Sequence, residues 1–157
     1  MSGLTRVLAF LLLMFGSSLP PEQATSTRAG RPDLVVTQVG LLPHRAATGG
    51  SLRLSAQVAN RGDGRARRST TVYFLSLDLR QDPTDVRLVG RMRVPALGPG
   101  KRLGGRVHLA VPTAVPGGAY YVVACVDGNR RISERHESNN CRASAQQVLV
   151  AVQDAVG

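Results

Sequence analysis

From Asp33 onward the chain alternates short apolar runs with turn signals, and nowhere does it sustain the 3.6-residue period of an amphipathic helix. The turn signals fall at Gly49-Gly50, across residues 60–64, and at Asp82-Pro83, Gly98-Pro99-Gly100, Pro116-Gly117-Gly118 and Asp127-Gly128-Asn129. Between them lie seven predicted strands: residues 34–42, 51–59, 70–77, 86–94, 106–111, 119–126 and 143–152. In the second, Leu52, Leu54, Ala56 and Val58 share one face, while Arg53, Ser55 and Gln57 share the other; this is the period of a strand with one wet side. The third is apolar or aromatic on both faces (Val72 and Phe74, then Tyr73 and Leu75), which predicts a central strand. The fourth turns Leu88, Met92 and Val94 inward with Arg91 and Arg93 outward, and the fifth turns Val107, Leu109 and Val111 inward with Arg106 and His108 outward. Strands at this spacing predict an all-β sandwich or barrel, and two packed sheets would bury all the inner faces together. A chain of 157 residues is a single domain by length.

The N-terminus follows a different pattern. Arg6 and the amino terminus supply positive charge, residues 7–15 are an unbroken apolar run, and Gly16-Ser17-Ser18 offers small residues to a peptidase. Residues 1–18 are therefore predicted to be a secretory signal peptide, since nine apolar residues fall well short of the roughly 20 that span a bilayer. Cleavage is expected after Ser18, with Ala24 as the alternative. Residues 19–32, rich in Pro, Ser, Thr, Gly and Arg, are predicted to be a flexible linker; the sandwich is predicted over 33–152, with a C-terminal tail at 153–157. Export predicts an oxidising compartment, where Cys125 and Cys141, the only two cysteines, form a disulfide. The face carrying Tyr120, Val122, Ala124 and Val126 excludes Cys125, so the bridge is expected to join neighbouring strands of one sheet rather than the two sheets.

Charge narrows the function classes. The net charge is +10, from nineteen arginines, one lysine and ten acids. That Arg:Lys ratio points to a GC-rich genome and concerns the host, not the function. The cations are spread along strands and loops, there are six aromatics and no Trp, and no zinc-finger spacing occurs, so nucleic acid is not the expected partner. Anionic surface polymers, phosphates or an acidic protein fit a basic exported chain better. No catalytic residues are expected: His44, His108 and His136 lie far apart, and no glycine-rich phosphate loop follows a strand. No cofactor is expected either. The weak candidate for a metal, which would be calcium, is Asp78, Asp82 and Asp85; their spacing is not that of an EF-hand, and Arg80 and Arg87 sit among them.

Several motifs, taken in order, identify a family. Asp33-Leu34-Val35-Val36 opens the domain, and Val58-Ala59-Asn60-Arg61-Gly62 ends the second strand. Val72-Tyr73-Phe74-Leu75-Ser76 with its Asp-rich loop follows, then Leu97-Gly98-Pro99-Gly100, then Gly118-Ala119-Tyr120 through Asn139-Asn140-Cys141. The most specific run is Val126-Asp127-x-Asn129-x-x-Ile132-x-Glu134-x-x-Glu137-x-Asn139-Asn140. Over residues 32–152 the chain resembles CARDB, the cell-adhesion-related domain found in bacteria. The resemblance implies a seven-stranded immunoglobulin-like sandwich serving as a non-catalytic extracellular adhesion or protein-interaction module. A small inhibitor or accessory subunit of an exported hydrolase is the alternative.

Asp127, Asn129, Asn139 and Asn140 are residue types that build turns, and Glu134 and Glu137 are expected to pair with Arg130, Arg131 or Arg135. Connections of a sandwich alternate between its poles, so the loops after the second, fourth and sixth strands should share one end. They would gather Arg61, Arg65, Arg67, Arg68, Lys101, Arg102, Arg130, Arg131 and Arg135 against four acids, Asp63, Asp127, Glu134 and Glu137. This basic pole is the candidate binding surface for an acidic partner.

Overall fold

The computed structural model describes residues 30–152. The predicted signal peptide, linker residues 19–29 and the tail 153–157 lie outside the described residues. Within them the regular structure is ten strands and no helix: β1 (Leu34–Leu41), β2 (Arg45–Ala47), β3 (Ser51–Asn60), β4 (Ser69–Ser76), β5 (Val86–Arg87), β6 (Met92–Val94), β7 (Arg102–Ala110), β8 (Gly118–Val126), β9 (Cys141–Ala143) and β10 (Val148–Ala151).

Two sheets form. One has the order β1-β3-β7; the other runs β2-β10-β8-β4-β5, with β6 also pairing β4 and β9 pairing β8. The core between them draws Leu34, Leu52, Leu54, Val58, Val107 and Leu109 from the small sheet and Tyr73, Leu75, Tyr120, Val122, Val126 and Val150 from the large one. The inward faces predicted for the second to fifth strands are buried as expected, and β4 is flanked by β8 on one side and by β5 and β6 on the other.

Four details differ from the pattern reading, the first being β2, which pairs β10 in parallel and matches none of the predicted strands. The fourth segment is two strands rather than one, because Gly90 (φ 130°) adopts a conformation that L side chains rarely reach. The kink swings Val89 away from β4 to pair with Ala110 at the end of β7. β7 begins at Arg102, where Gly104-Gly105 hides the alternation. The last segment is interrupted, and its pairing is shared between β9 against β8 and β10 against both β8 and β2.

Residues 30–32, read as the end of a linker, are hydrogen-bonded to the domain. Arg31 donates its amide to Asp63 Oδ1 (2.9 Å) and its guanidinium to Ser133 Oγ (2.6 Å), and Pro32 O accepts from the Arg135 amide (2.8 Å). Glycine is required opposite them, since a Cβ on Gly62 would collide with the Arg31 carbonyl oxygen.

Candidate functional site

The register places one set of loops together. Ala59 pairs Arg102, Leu34 pairs Asn60, Ser69 pairs Val94 and Thr71 pairs Val126, so the loops 61–68, 95–101 and 127–140 leave the same end of the sandwich. Asn60, buried at the end of β3, ties three segments to each other. Its Nδ2 donates to Gly64 O (2.8 Å) and Leu97 O (2.9 Å), and its Oδ1 accepts from the Asp33 and Gly62 amides (3.0 Å each). Every bond an amide side chain can readily make is therefore used on backbone.

The acids and amides of the 127–140 hairpin do similar work. Asp127, at φ 49°, accepts the Ile132 amide on Oδ2 (2.9 Å) and shapes the turn. Glu134 is buried and accepts the Leu34 amide on Oε2 and Asn140 Nδ2 on Oε1 (2.7 Å), tying the hairpin to the start of β1. Burial pushes its carboxyl above the ordinary glutamate range; the bonds from Leu34 and Asn140 pull the other way but do not win. Glu137 Oε1 accepts the Glu134 amide (2.8 Å). Asp33 accepts Asn139 Nδ2 on Oδ1 (2.9 Å), and its Oδ2 lies 3.2 Å from His136 Nδ1. Glu134 and Glu137 are thus engaged by backbone amides and Asn140, not by Arg130, Arg131 or Arg135 as expected. The reason is physical: an amide left unpaired at a buried strand start costs more than a solvated arginine gains from an exposed ion pair. Asn129 stays exposed.

Cys125 and Cys141 face each other in register across β8 and β9 and form the disulfide (Cα–Cα 4.0 Å), joining neighbouring strands of one sheet. Cys125 packs with Val72 and Val123 in a small cluster on the outer face of the large sheet.

All nine cations assigned to the pole are exposed. Among the described residues no carboxylate is ion-paired with an arginine or lysine, and the one close contact to a basic ring is His136 Nδ1 on Asp33 Oδ2. The four pole carboxylates are occupied: Asp63, Asp127 and Glu137 each accept a backbone amide, and Glu134 accepts both an amide and Asn140. Arg68 and Arg131 line one groove of about 580 Å³ together with Arg91 and Arg93, which sequence reasoning placed on an outward strand face without connecting them to the pole. The signal was present in the alternation of residues 91–94, but the neighbour across the groove was not. Arg130 lines a second groove beside the disulfide, with Phe74, Arg80 and Glu137. Arg61, Arg65, Arg67, Lys101, Arg102 and Arg135 line neither.

At the opposite pole, Asp78, Asp82 and Asp85 do not converge as an ion site would require. Asp78 Oδ1 accepts the Arg80 amide (2.7 Å), and Asp85 Oδ2 accepts the Asp82 amide (2.9 Å). Asp82 Oδ1 accepts both the amide and the hydroxyl of Thr84 (2.6 Å each), which hold its carboxyl below its ordinary value. Among the described residues no group of three or more His, Cys, Asp or Glu is arranged to hold a metal. His44, in the bend between β1 and β2, and His108, on β7, are both exposed.

The fold recurs in solved structures. A CARDB domain from Pyrococcus furiosus, there in complex with di-metal ions, is 20% identical with a TM-score of 0.52, covering 78% of this chain and 96% of that one. A domain of a Methanosarcina acetivorans protein, described as a candidate cell surface protein, is 18% identical with a TM-score of 0.52, covering 76% and 92%. A β-glucosidase from Erythrobacter marinus matches over 76% of this chain but only 16% of its own, at 16% identity and a TM-score of 0.50. No curated protein matches the chain in sequence. The family pattern for CARDB matches residues 31–144, which include Asn60, Asp127, Glu134, Glu137, Asn139 and Asn140, the residues that tie the pole together. The chain belongs to the CARDB family.

Proposed function

We propose that the protein is a non-catalytic adhesion or interaction module acting outside the cytoplasm, and that it docks an acidic cell-surface partner through its basic pole. One observation carries this reading. Nine exposed cations stand against four carboxylates, an excess of five positive charges, and among the described residues none of those carboxylates is ion-paired with an arginine or lysine. A surface built this way attracts polyanions at a range set by the ionic strength, roughly 8 Å at physiological salt. The predicted signal peptide supports an extracellular setting, as does the occurrence of the fold in a Methanosarcina acetivorans protein described as a candidate cell surface protein.

The test is binding of the purified protein to envelope fractions at low and high salt. Wild type should bind in a salt-sensitive way. Arg65→Glu/Arg67→Glu/Arg68→Glu should lose that binding, and unchanged binding of the triple variant overturns the reading.

A further inference from the structure

We propose that the groove lined by Arg68, Arg91, Arg93 and Arg131 is a phosphate-binding track that takes consecutive phosphate groups of an extracellular polymer. The proposal rests on the reading of the basic pole as a binding surface and narrows it to one groove and one ligand chemistry.

Strand geometry makes the groove. In β6, Met92 and Val94 are buried in the core, so alternation sends Arg91 and Arg93 to the outer face of the large sheet, where both are exposed. Arg93 stands opposite Thr70 in the β4 ladder, and Arg68 immediately precedes that strand. The facing wall is the turn after β8, which brings Asn129 and Arg131 to the same groove. That turn is held by the Gly128 amide donating to Thr70 O (3.3 Å) and by Asp127 accepting the Ile132 amide (2.9 Å). Both walls are thus fixed by the β4–β6 ladder, the Gly128–Thr70 backbone bond and the Asp127 carboxylate rather than by the arginines themselves.

The electrostatics select an anion. Four guanidinium groups share the groove with a single acid, Asp127, which is buried and already bonded through Oδ2. Like charges gathered in one groove repel each other unless a ligand supplies the counter-charge. Each guanidinium offers a planar fork of donors that matches phosphate oxygens two at a time. An internal phosphate of a polymer presents two non-bridging oxygens to such a fork, as a carboxylate does, but it carries them on the chain itself, without the flexible side chain that each polyglutamate carboxylate must order on binding. The groove is also too large for one ion. At about 30 Å³ per water molecule, 580 Å³ is the volume of roughly twenty waters, so the space suits a chain of charged groups. Thr70 and Asn129 add neutral polar groups to its walls.

The experiment measures binding of fluorescently labelled polyphosphate by anisotropy, with inorganic phosphate, charge-matched polyglutamate and vesicles of anionic phospholipid as competitors. Wild type should prefer polyphosphate over polyglutamate by at least about tenfold. Arg91→Ala/Arg93→Ala, both exposed and outside the core, should lose at least about tenfold in affinity while keeping the wild-type melting temperature. Arg91→Lys/Arg93→Lys should also weaken binding, because charge is kept but the donor fork is lost. Arg61→Ala/Arg102→Ala, on the same pole but outside the groove, should lose less than about threefold. Equal losses in the groove and control pairs overturn the proposal. So does polyglutamate competing as well as polyphosphate, or vesicles competing better. Envelope binding that the Arg65/Arg67/Arg68 reversal abolishes but Arg91→Ala/Arg93→Ala leaves intact overturns the groove and spares the pole. Envelope binding indifferent to both sets removes both.

Discussion

Removing the Asn60 amide tests the structural basis of the pole directly. The side chain is buried and bonds four backbone groups: two amides, of Asp33 and Gly62, and two carbonyls, of Gly64 and Leu97. Asn60→Ala leaves all four without that partner. With a net contribution of about 1 kcal/mol per hydrogen bond, and more where the orphaned group stays dry, the expected loss is about 2–6 kcal/mol. Water entering beside the exposed loops sets the low end. That is a large fraction of the 5–15 kcal/mol typical of a domain. The assay is equilibrium urea unfolding followed by far-UV circular dichroism with the disulfide intact. Arg53→Ala, exposed on the same strand, serves as the control and should stay within about 0.5 kcal/mol of wild type. A loss below about 1 kcal/mol for Asn60→Ala would show that the three segments are held together by something else, and the argument from Asn60 would fail.

Replacing Cys125 and Cys141 by alanine opens a loop with a sequence separation of 16, and the chain-entropy account gives a cost of about 3 kcal/mol, read as a lower unfolding free energy in water with a higher m-value, because the unbridged chain unfolds to a more exposed state. Glu134 carries a pH signature. Its folded pKa is raised, so its contribution is fully present below the unfolded value of about 4.3 and is lost as pH rises through the higher folded value. The stability difference between wild type and Glu134→Gln should therefore be more favourable to wild type at pH 4 than at pH 7; a pH-independent difference would contradict the assignment. The Tyr73 hydroxyl is buried without a hydrogen-bond partner, and burial pushes its phenol above the ordinary value, so Tyr73→Phe should be neutral or stabilising by up to about 1–3 kcal/mol; a clear fall in melting temperature would refute this.

Strand faces were legible in the chain because alternation is a local property: Leu52, Leu54, Ala56 and Val58 go inward for reasons contained in residues 51–59. The central position of 70–77 followed from apolar residues on both its faces, and the bridge between neighbouring strands from the parity of Cys125. The family was legible too, through the run from Asp127 to Asn140. What that run does was not. Glu134 looked like half of a surface ion pair because arginines surround it in sequence, yet its partner is the amide of Leu34, a hundred residues away. The split at Gly90 likewise depended on β7 being near enough to take up Val89.

The sequence by itself determined the class of fold, the covalent staple, the family and the excess of positive charge. Tertiary structure alone decided which carboxylates hold backbone amides and which arginines share a groove. Alternation and composition act over a few residues, whereas a carboxylate's choice between an arginine and a buried amide depends on what the fold leaves dry. Arg91 and Arg93 became neighbours of Arg68 and Arg131 only once β6 was laid against β4 and the turn after β8 closed over the other side.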